Sequence, residues 1–163
     1  MALKVALQMD PIGSVNINGD STFRIALEAQ ARGHSLFFYT PDRLAYVEGR
    51  VLARGWPIDV RRELGNHVTY GEETEVDLGT YDVVWLRQDP PFDLSYITAT
   101  HLLERIEGET LVVNNPKSVR DAPEKLFVLD YARFMPPTMI TRDLDQVRSF
   151  LAEHGDIVVK PLY

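Results

Sequence analysis

The sequence has 163 residues, of which 45% are hydrophobic and 25% are charged, and these proportions exclude a disordered or fibrous chain. It contains no cysteine, which excludes disulfide frameworks, cysteine-ligated metal centres and thiol nucleophiles, and its net charge of −7 argues against a nucleic-acid partner. No apolar run of membrane length is present and we expect no signal peptide, so we expect a cytoplasmic protein without a membrane partner.

The first forty residues predict a strand, a helix and a second strand. Leu3–Gln8 is an apolar strand, and after a turn-rich loop a helix begins near Asp20 or Ser21 and ends near Arg32. Ser35–Tyr39 is the next strand. This order predicts a parallel pair of strands joined by a right-handed crossover.

Residues 41–80 have a different character, with short mixed segments separated by glycine and proline. We interpret Arg50–Ala53, Ile58–Arg62 and His67–Tyr70 as three short strands of an antiparallel excursion.

Beyond residue 80 the predicted elements alternate again between strands and helices. The predicted strands are Val83–Arg87, Leu111–Asn114, Thr138–Thr141 and Ile157–Val159, and the predicted helices are Asp93–Arg105, Ala122–Phe134 and Asp143–His154. Alternation of this kind predicts an α/β fold with a mostly parallel sheet. The chain stops soon after a predicted strand, so we expect it to be part of a longer protein.

Polar segments follow three of the predicted strands, where ligands bind in open α/β sheets. They contribute Asp10, Asn16 and Ser21 from the first loop, Arg87 and Asp89 from the second, and Asn115 and Ser118 from the third. Ordinary turn and cap chemistry also accounts for the first and third segments. In the second, Arg87 is either a ligand-binding residue or a structural ion-pair partner of Asp89 or Asp93.

Two lysines occupy positions that favour a phosphate group. Lys125 lies near the start of a predicted helix, where the dipole attracts an anion, and Lys160 ends the apolar strand Ile157–Val159. A solvated helix lysine and a snorkelling strand-end lysine are the structural alternatives. The histidines lack metal-ligand spacing, and we expect all four at the surface or at helix ends: His34, His67, His101 and His154.

Several segments form a recognisable set: Met9–Ile12, Asn16–Ile17, Asp20–Ser21, Leu27–Gln30, Arg87–Asp93, Ala99–Thr100, Leu103–Arg105, Val113–Asp121, Glu124–Phe127 and Val159–Leu162. In this order and spacing they resemble the bacterial glutathione synthetase family of ATP-grasp ligases. The resemblance extends over the whole chain and is weakest between residues 41 and 75.

The resemblance implies a Rossmann-like pre-ATP-grasp domain at residues 1–122 and the start of an ATP-grasp domain at residues 123–163. It also implies a ligase that joins γ-glutamylcysteine to glycine through an acyl phosphate, with ATP and magnesium or manganese, and that forms a homodimer or homotetramer. Lys125 and Lys160 match lysines that contact ATP phosphates, and Arg87 is assigned to a substrate carboxylate. The metal ligands and the glycine-rich flap would follow Tyr163, so we expect the chain alone to be inactive.

Two other interpretations remain. One is another ATP-grasp carboxylate–amine ligase, such as a D-alanine–D-alanine or glutamate ligase, although those relatives lack the run Arg87–Asp93 as a unit. The other is a non-catalytic α/β signalling or assembly domain. A phosphoacceptor module needs paired acidic residues after its first strand, and this sequence offers only Asp10.

Overall fold

The structure is a computed structural model that describes residues 1–162. It divides into two units, of which the first is Met1–Asp121 and the second begins at Ala122. The strands are β1 Lys4–Gln8, β2 Ser35–Tyr39, β3 Leu44–Val47, β4 Arg50–Val60, β5 Val68–Tyr70, β6 Thr74–Asp77, β7 Val83–Leu86 and β8 Leu111–Val113. The helices are α1 Ser21–Ala31, α2 Leu94–Leu103, α3 Pro116–Asp121, α4 Glu124–Phe127 and α5 Leu144–His154.

One sheet organises the first unit, with its strands in the order β3-β4-β2-β1-β7-β8. The four neighbours β2, β1, β7 and β8 run parallel, whereas β4 pairs antiparallel with β2, β3, β5 and β6. The predicted α/β fold is therefore confirmed, with a parallel centre and the predicted antiparallel excursion on one flank. None of the helices in residues 1–162 combines the length and apolarity needed to cross a membrane.

The two faces of the sheet carry separate cores, because side chains alternate along a strand. On one face Val5 and Leu7 of β1 pack with Phe23 of α1. On the other face Ala6 packs with Leu103 of α2. The carboxyl ends of β1 and β7 thus lie between α1 and α2.

The start of α1 is fixed by an N-cap. Asp20 Oδ1 accepts a hydrogen bond from the Phe23 amide at 2.6 Å, which satisfies one of the free N–H groups of the first turn. This confirms the predicted start of the helix. The cap sets the position of Ser21 and Thr22, the first two residues of α1.

The prediction of separate strands at Arg50–Ala53 and Ile58–Arg62 was wrong, because β4 continues without a break from Arg50 to Val60 and ends before Arg61. Gly55 is the site of a close approach, since a Cβ there would lie 2.1 Å from the Phe38 carbonyl oxygen. Pro57 stays within the ladders, and its carbonyl accepts from the Gly71 amide at 2.8 Å. Glycine and proline therefore mark a tight contact here and do not end the strand.

The prediction of a surface or helix-end position for His67 was also wrong. The residue is only 7% exposed, and its Nε2 lies 2.8 Å from the Ile12 carbonyl oxygen. Its ring forms a T-shaped pair with the Phe23 ring, with 5.4 Å between the ring centroids. His67 thereby ties the loop after β1 to the core, a structural role that sequence spacing does not reveal.

In the second unit α5 is confirmed, and Asp143 caps it by accepting from the Asp145 amide at 2.8 Å. The single helix predicted at Ala122–Phe134 is instead α4 followed by a 3-10 segment, Val128–Phe134, that is kinked at Tyr131.

Neither strand predicted in the second unit, at Thr138–Thr141 and at Ile157–Val159, is formed. A strand needs a hydrogen-bonded neighbour, and residues 122–162 supply none. An apolar run in the sequence suggests a strand, but it carries no information about whether such a neighbour is present.

Candidate functional site

Arg87 follows β7 directly, and its guanidinium reaches the first turn of α1. Nε donates to Thr22 Oγ1 at 3.1 Å and Nη2 donates to Ser21 Oγ at 2.9 Å. Among residues 1–162 it forms no ion pair, so the ion-pair alternative with Asp89 or Asp93 is not what the structure contains. The arginine is half-buried and is held by neutral hydroxyls, with no carboxylate at ion-pair distance among the described residues.

The carboxyl end of β1 holds the segment that starts at Arg87. The Arg87 amide donates to the Gln8 carbonyl at 2.9 Å, and the Asp89 amide donates to Asp10 Oδ2 at 2.7 Å. Between them, Gln8 Nε2 donates to Gln88 Oε1 at 2.5 Å. The structure thus brings Asp10, Ser21, Arg87 and Asp89 together from two of the three predicted loops.

Tyr96 lies within electrostatic range of this group, and sequence reasoning missed it. Burial raises the pKa of its hydroxyl, the positive charge of Arg87 opposes that rise, and the charges of Asp89 and Asp10 add to it. The hydroxyl therefore stays protonated near neutral pH and can donate a hydrogen bond. Its position one turn after the α2 N-cap Asp93 is the signal that could have identified it, since that cap directly follows the Arg87 segment.

The third predicted loop forms a separate arrangement. Asn115 Oδ1 accepts from the Ser118 amide at 2.8 Å, and Asn115 Nδ2 donates to Glu107 Oε1 at 2.5 Å. Asn115 therefore caps the start of α3. The Asn16 side chain also bonds within its own loop, where its Oδ1 accepts from the Asn18 amide at 3.1 Å. Among the described residues, no hydrogen bond joins Asn16, Asn115 or Ser118 to Arg87.

The two lysines predicted to bind phosphate lie in the second unit and differ in their surroundings. Lys125, in α4, is partly buried and its Nζ donates to the Leu162 carbonyl at 3.2 Å. Lys160 is exposed and has no hydrogen-bond or ion-pair partner within residues 1–162. The ammonium group of Lys160 is thus available to an anion.

A cleft of about 350 Å³ lies at the start of α1. Ser21 lines it, so the cleft adjoins the Arg87 group, and Arg24 and Arg62 add two guanidinium groups to its wall. Asp20 also lines the cleft, but its carboxylate is engaged in the N-cap of α1. Arg62 has only a long contact, 3.4 Å from Nη2 to Asn18 Oδ1.

Comparison with known proteins identifies the family of the chain. Residues 3–120 match the N-terminal domain of prokaryotic glutathione synthetase, and residues 124–163 match the ATP-grasp domain of the same enzyme. The chain belongs to the prokaryotic glutathione synthetase family. The resemblance read from the sequence is thereby confirmed.

Individual members of the family align along the whole chain. It is 60% identical over 163 residues to the glutathione synthetase of Rhodopseudomonas palustris and 56% identical over 163 residues to that of Bradyrhizobium diazoefficiens. The Salmonella typhimurium glutathione synthetase is 41% identical over 161 residues. These alignments cover 98–100% of the chain but only 51–52% of each relative, so the chain spans about half the length of these relatives.

Proposed function

We propose that the protein to which this chain belongs is a ligase that joins γ-glutamylcysteine to glycine with ATP. The observation that carries the proposal is the match of the whole chain, in order, to both domains of the glutathione synthetase family. We further propose that residues 1–122 are the pre-ATP-grasp domain and that residues 123–163 begin the nucleotide domain. The division after Asp121 and the two family matches support that boundary.

In the proposed reaction, a carboxylate oxygen of γ-glutamylcysteine attacks the γ-phosphorus of ATP, which releases ADP and forms an acyl phosphate. The glycine amine then attacks the carbonyl carbon, phosphate leaves, and the nitrogen loses a proton. ATP supplies the leaving group that a free carboxylate lacks. Magnesium or manganese would neutralise phosphoryl charge, but residues 1–162 bring together no metal-binding group of side chains, so we assign no metal ligand within them.

For Arg87 we propose contact with a substrate carboxylate. The support is geometric: two hydroxyls orient the guanidinium without neutralising it, and Nη1 has no partner among the described residues. A planar guanidinium can bind a carboxylate through two parallel hydrogen bonds. We assign Asp10, Ser21 and Asp89 to the same substrate side, with Asn16, Asn115 and Ser118 in the neighbouring loops.

A product assay tests the proposed function. The longer protein, incubated with γ-glutamylcysteine, glycine and ATP, should form glutathione and ADP in equal amounts, and the 163-residue chain alone should form neither. Turnover with D-alanine but not with γ-glutamylcysteine plus glycine would favour the D-alanine ligase alternative. Glutathione formed by the isolated chain would contradict the assignment of an incomplete site.

For Lys160 and Lys125 we propose contacts to ATP phosphates. Lys160→Gln should weaken ATP binding about tenfold and slow turnover, because one charge-assisted hydrogen bond contributes about 1.5 kcal/mol. Lys125→Gln should have a smaller effect, since its ammonium already donates to the Leu162 carbonyl. ATP titration of both variants measures this, and unchanged affinity in both would leave the lysines as solvated side chains.

We also propose that the protein is cytoplasmic and forms a homodimer or homotetramer, as the family resemblance implies. Light scattering on the longer protein would measure its assembly state directly.

A further inference from the structure

Gln8 is a polar residue in the most buried part of the sheet. It ends the central strand β1, its side chain is 0% exposed, and its Oε1 has no hydrogen-bond partner. A buried amide with an unpaired acceptor costs about 1–3 kcal/mol relative to a satisfied one. Core packing alone would favour an apolar side chain there, so the amide requires another explanation.

The neighbour of Gln8 on β2 shows the same feature. Tyr39 pairs with Gln8 in the parallel ladder, is fully buried, and has an unpartnered hydroxyl whose pKa is raised by that burial. Two polar groups therefore occupy the carboxyl ends of adjacent strands, on the sheet face that packs against α2. Polar groups are thus concentrated at the edge where the Arg87 segment begins.

The single side-chain bond of Gln8 goes to that segment. Its Nε2 donates to Gln88 Oε1 at 2.5 Å, while Arg87 turns to the opposite side and meets Ser21 and Thr22. The Arg87 amide is held by the Gln8 carbonyl and the Asp89 amide by Asp10. Residues 87, 88 and 89 are thus all bonded to the end of β1 or to the residues that follow it. Only the bond at Gln88 joins two neutral side chains.

We propose that Gln8 is a positioning residue: through Gln88 it fixes the backbone from which the Arg87 guanidinium projects. This inference rests on the proposed function, in which Arg87 contacts the dipeptide carboxylate. Gln8 itself touches no substrate. Substitution of Gln8 should therefore change the binding of γ-glutamylcysteine and not the binding of ATP.

The experiment compares Gln8→Leu, Gln88→Leu and the double variant in the longer protein. Gln8→Leu should raise the KM for γ-glutamylcysteine about three- to tenfold, as expected for one lost hydrogen bond, and leave the KM for ATP within twofold. Its melting temperature should stay the same or rise, because the unpaired Oε1 is removed. The double variant should match Gln88→Leu, since both changes break the same link.

Gln30→Leu is the matched control. Gln30 bonds both backbone groups of Val60, at 2.8 Å and 2.7 Å, and fastens α1 to β4 outside the Arg87 group. The Gln30→Leu substitution should lower the melting temperature without a selective change in the KM for γ-glutamylcysteine. An unchanged KM in Gln8→Leu, an effect equal for all substrates, or additive effects of Gln8→Leu and Gln88→Leu would overturn the proposal.

Two further measurements distinguish a failure of this inference from a failure of the proposed function. If the unaltered protein makes no glutathione, the proposed function fails, whatever Gln8 does. Hydrogen exchange measured by mass spectrometry across residues 87–92 then still tests the positioning role, and Gln8→Leu should exchange faster there than Gln30→Leu. Equal exchange in the two variants, with normal ligase activity in the unaltered protein, would contradict the Gln8 inference alone.

Discussion

Arg87→Lys in the longer protein should raise the KM for γ-glutamylcysteine about 10- to 100-fold and leave the KM for ATP and the melting temperature nearly unchanged. A charge-assisted hydrogen bond contributes about 1.5–3 kcal/mol, which corresponds to that range. Lysine keeps the positive charge but cannot bond Ser21 and Thr22 while presenting two parallel donors to a carboxylate. Steady-state kinetics for each substrate and a thermal melt of the same preparation measure the effect.

Arg120→Lys provides the contrasting control. The Arg120 side chain is 14% exposed, and its Nη2 donates to Glu104 at 2.5 Å, which lowers the pKa of that carboxyl. Its Nη1 donates to Thr100 Oγ1 at 3.3 Å. Losing this structural pair should lower the melting temperature without singling out one substrate. If Arg87→Lys behaves like Arg120→Lys, with a lower melting temperature and a uniform loss for all substrates, the carboxylate assignment of Arg87 is wrong.

Gly55→Ala should destabilise the protein by about 3 kcal/mol, at the upper end of the usual range for overpacking. The added Cβ would lie 2.1 Å from the Phe38 carbonyl oxygen and 2.9 Å from Tyr39 Cβ. Relief would require β4 to move away from β2, which would break the ladder that joins Trp56 to Phe38. Urea unfolding followed by circular dichroism measures the change in the free energy of unfolding.

Gly108→Ala is the matched control for this substitution. A Cβ at Gly108 meets no heavy atom within 4 Å, and the residue does not adopt a positive φ. Its free energy of unfolding should change by no more than about 0.5 kcal/mol, as for most exposed positions. Equal effects of the two substitutions would show that the loss at Gly55 comes from the general conformational preference of glycine and not from close packing.

The sequence by itself determined the elements whose signals are local. The apolar strands β1, β2 and β7, the N-cap Asp20 and the helix α5 all follow from patterns within a few residues. The ordered set of motifs also determined the family, which the comparisons confirm. Short-range rules suffice for these features, because capping and hydrophobic periodicity act between neighbours in the chain.

Only the tertiary structure decided how the polar residues are grouped. Arg87 was a candidate from its position after a strand, but its choice of Ser21 and Thr22 over Asp89 or Asp93 depends on where α1 lies, 65 residues away in sequence. Gln8 gave no functional signal, and the only signal for Tyr96 was its position after the cap Asp93, since the role of each depends on partners contributed by other elements.

The same distinction explains the elements that the sequence predicted wrongly. Gly55 suggested a break, although it permits the contact between β4 and the backbone of Phe38. The apolar run Ile157–Val159 suggested a strand, although residues 122–162 offer it no hydrogen-bonded neighbour. A strand exists only as part of a sheet, so its formation is decided by residues far away in the chain and not by its own composition.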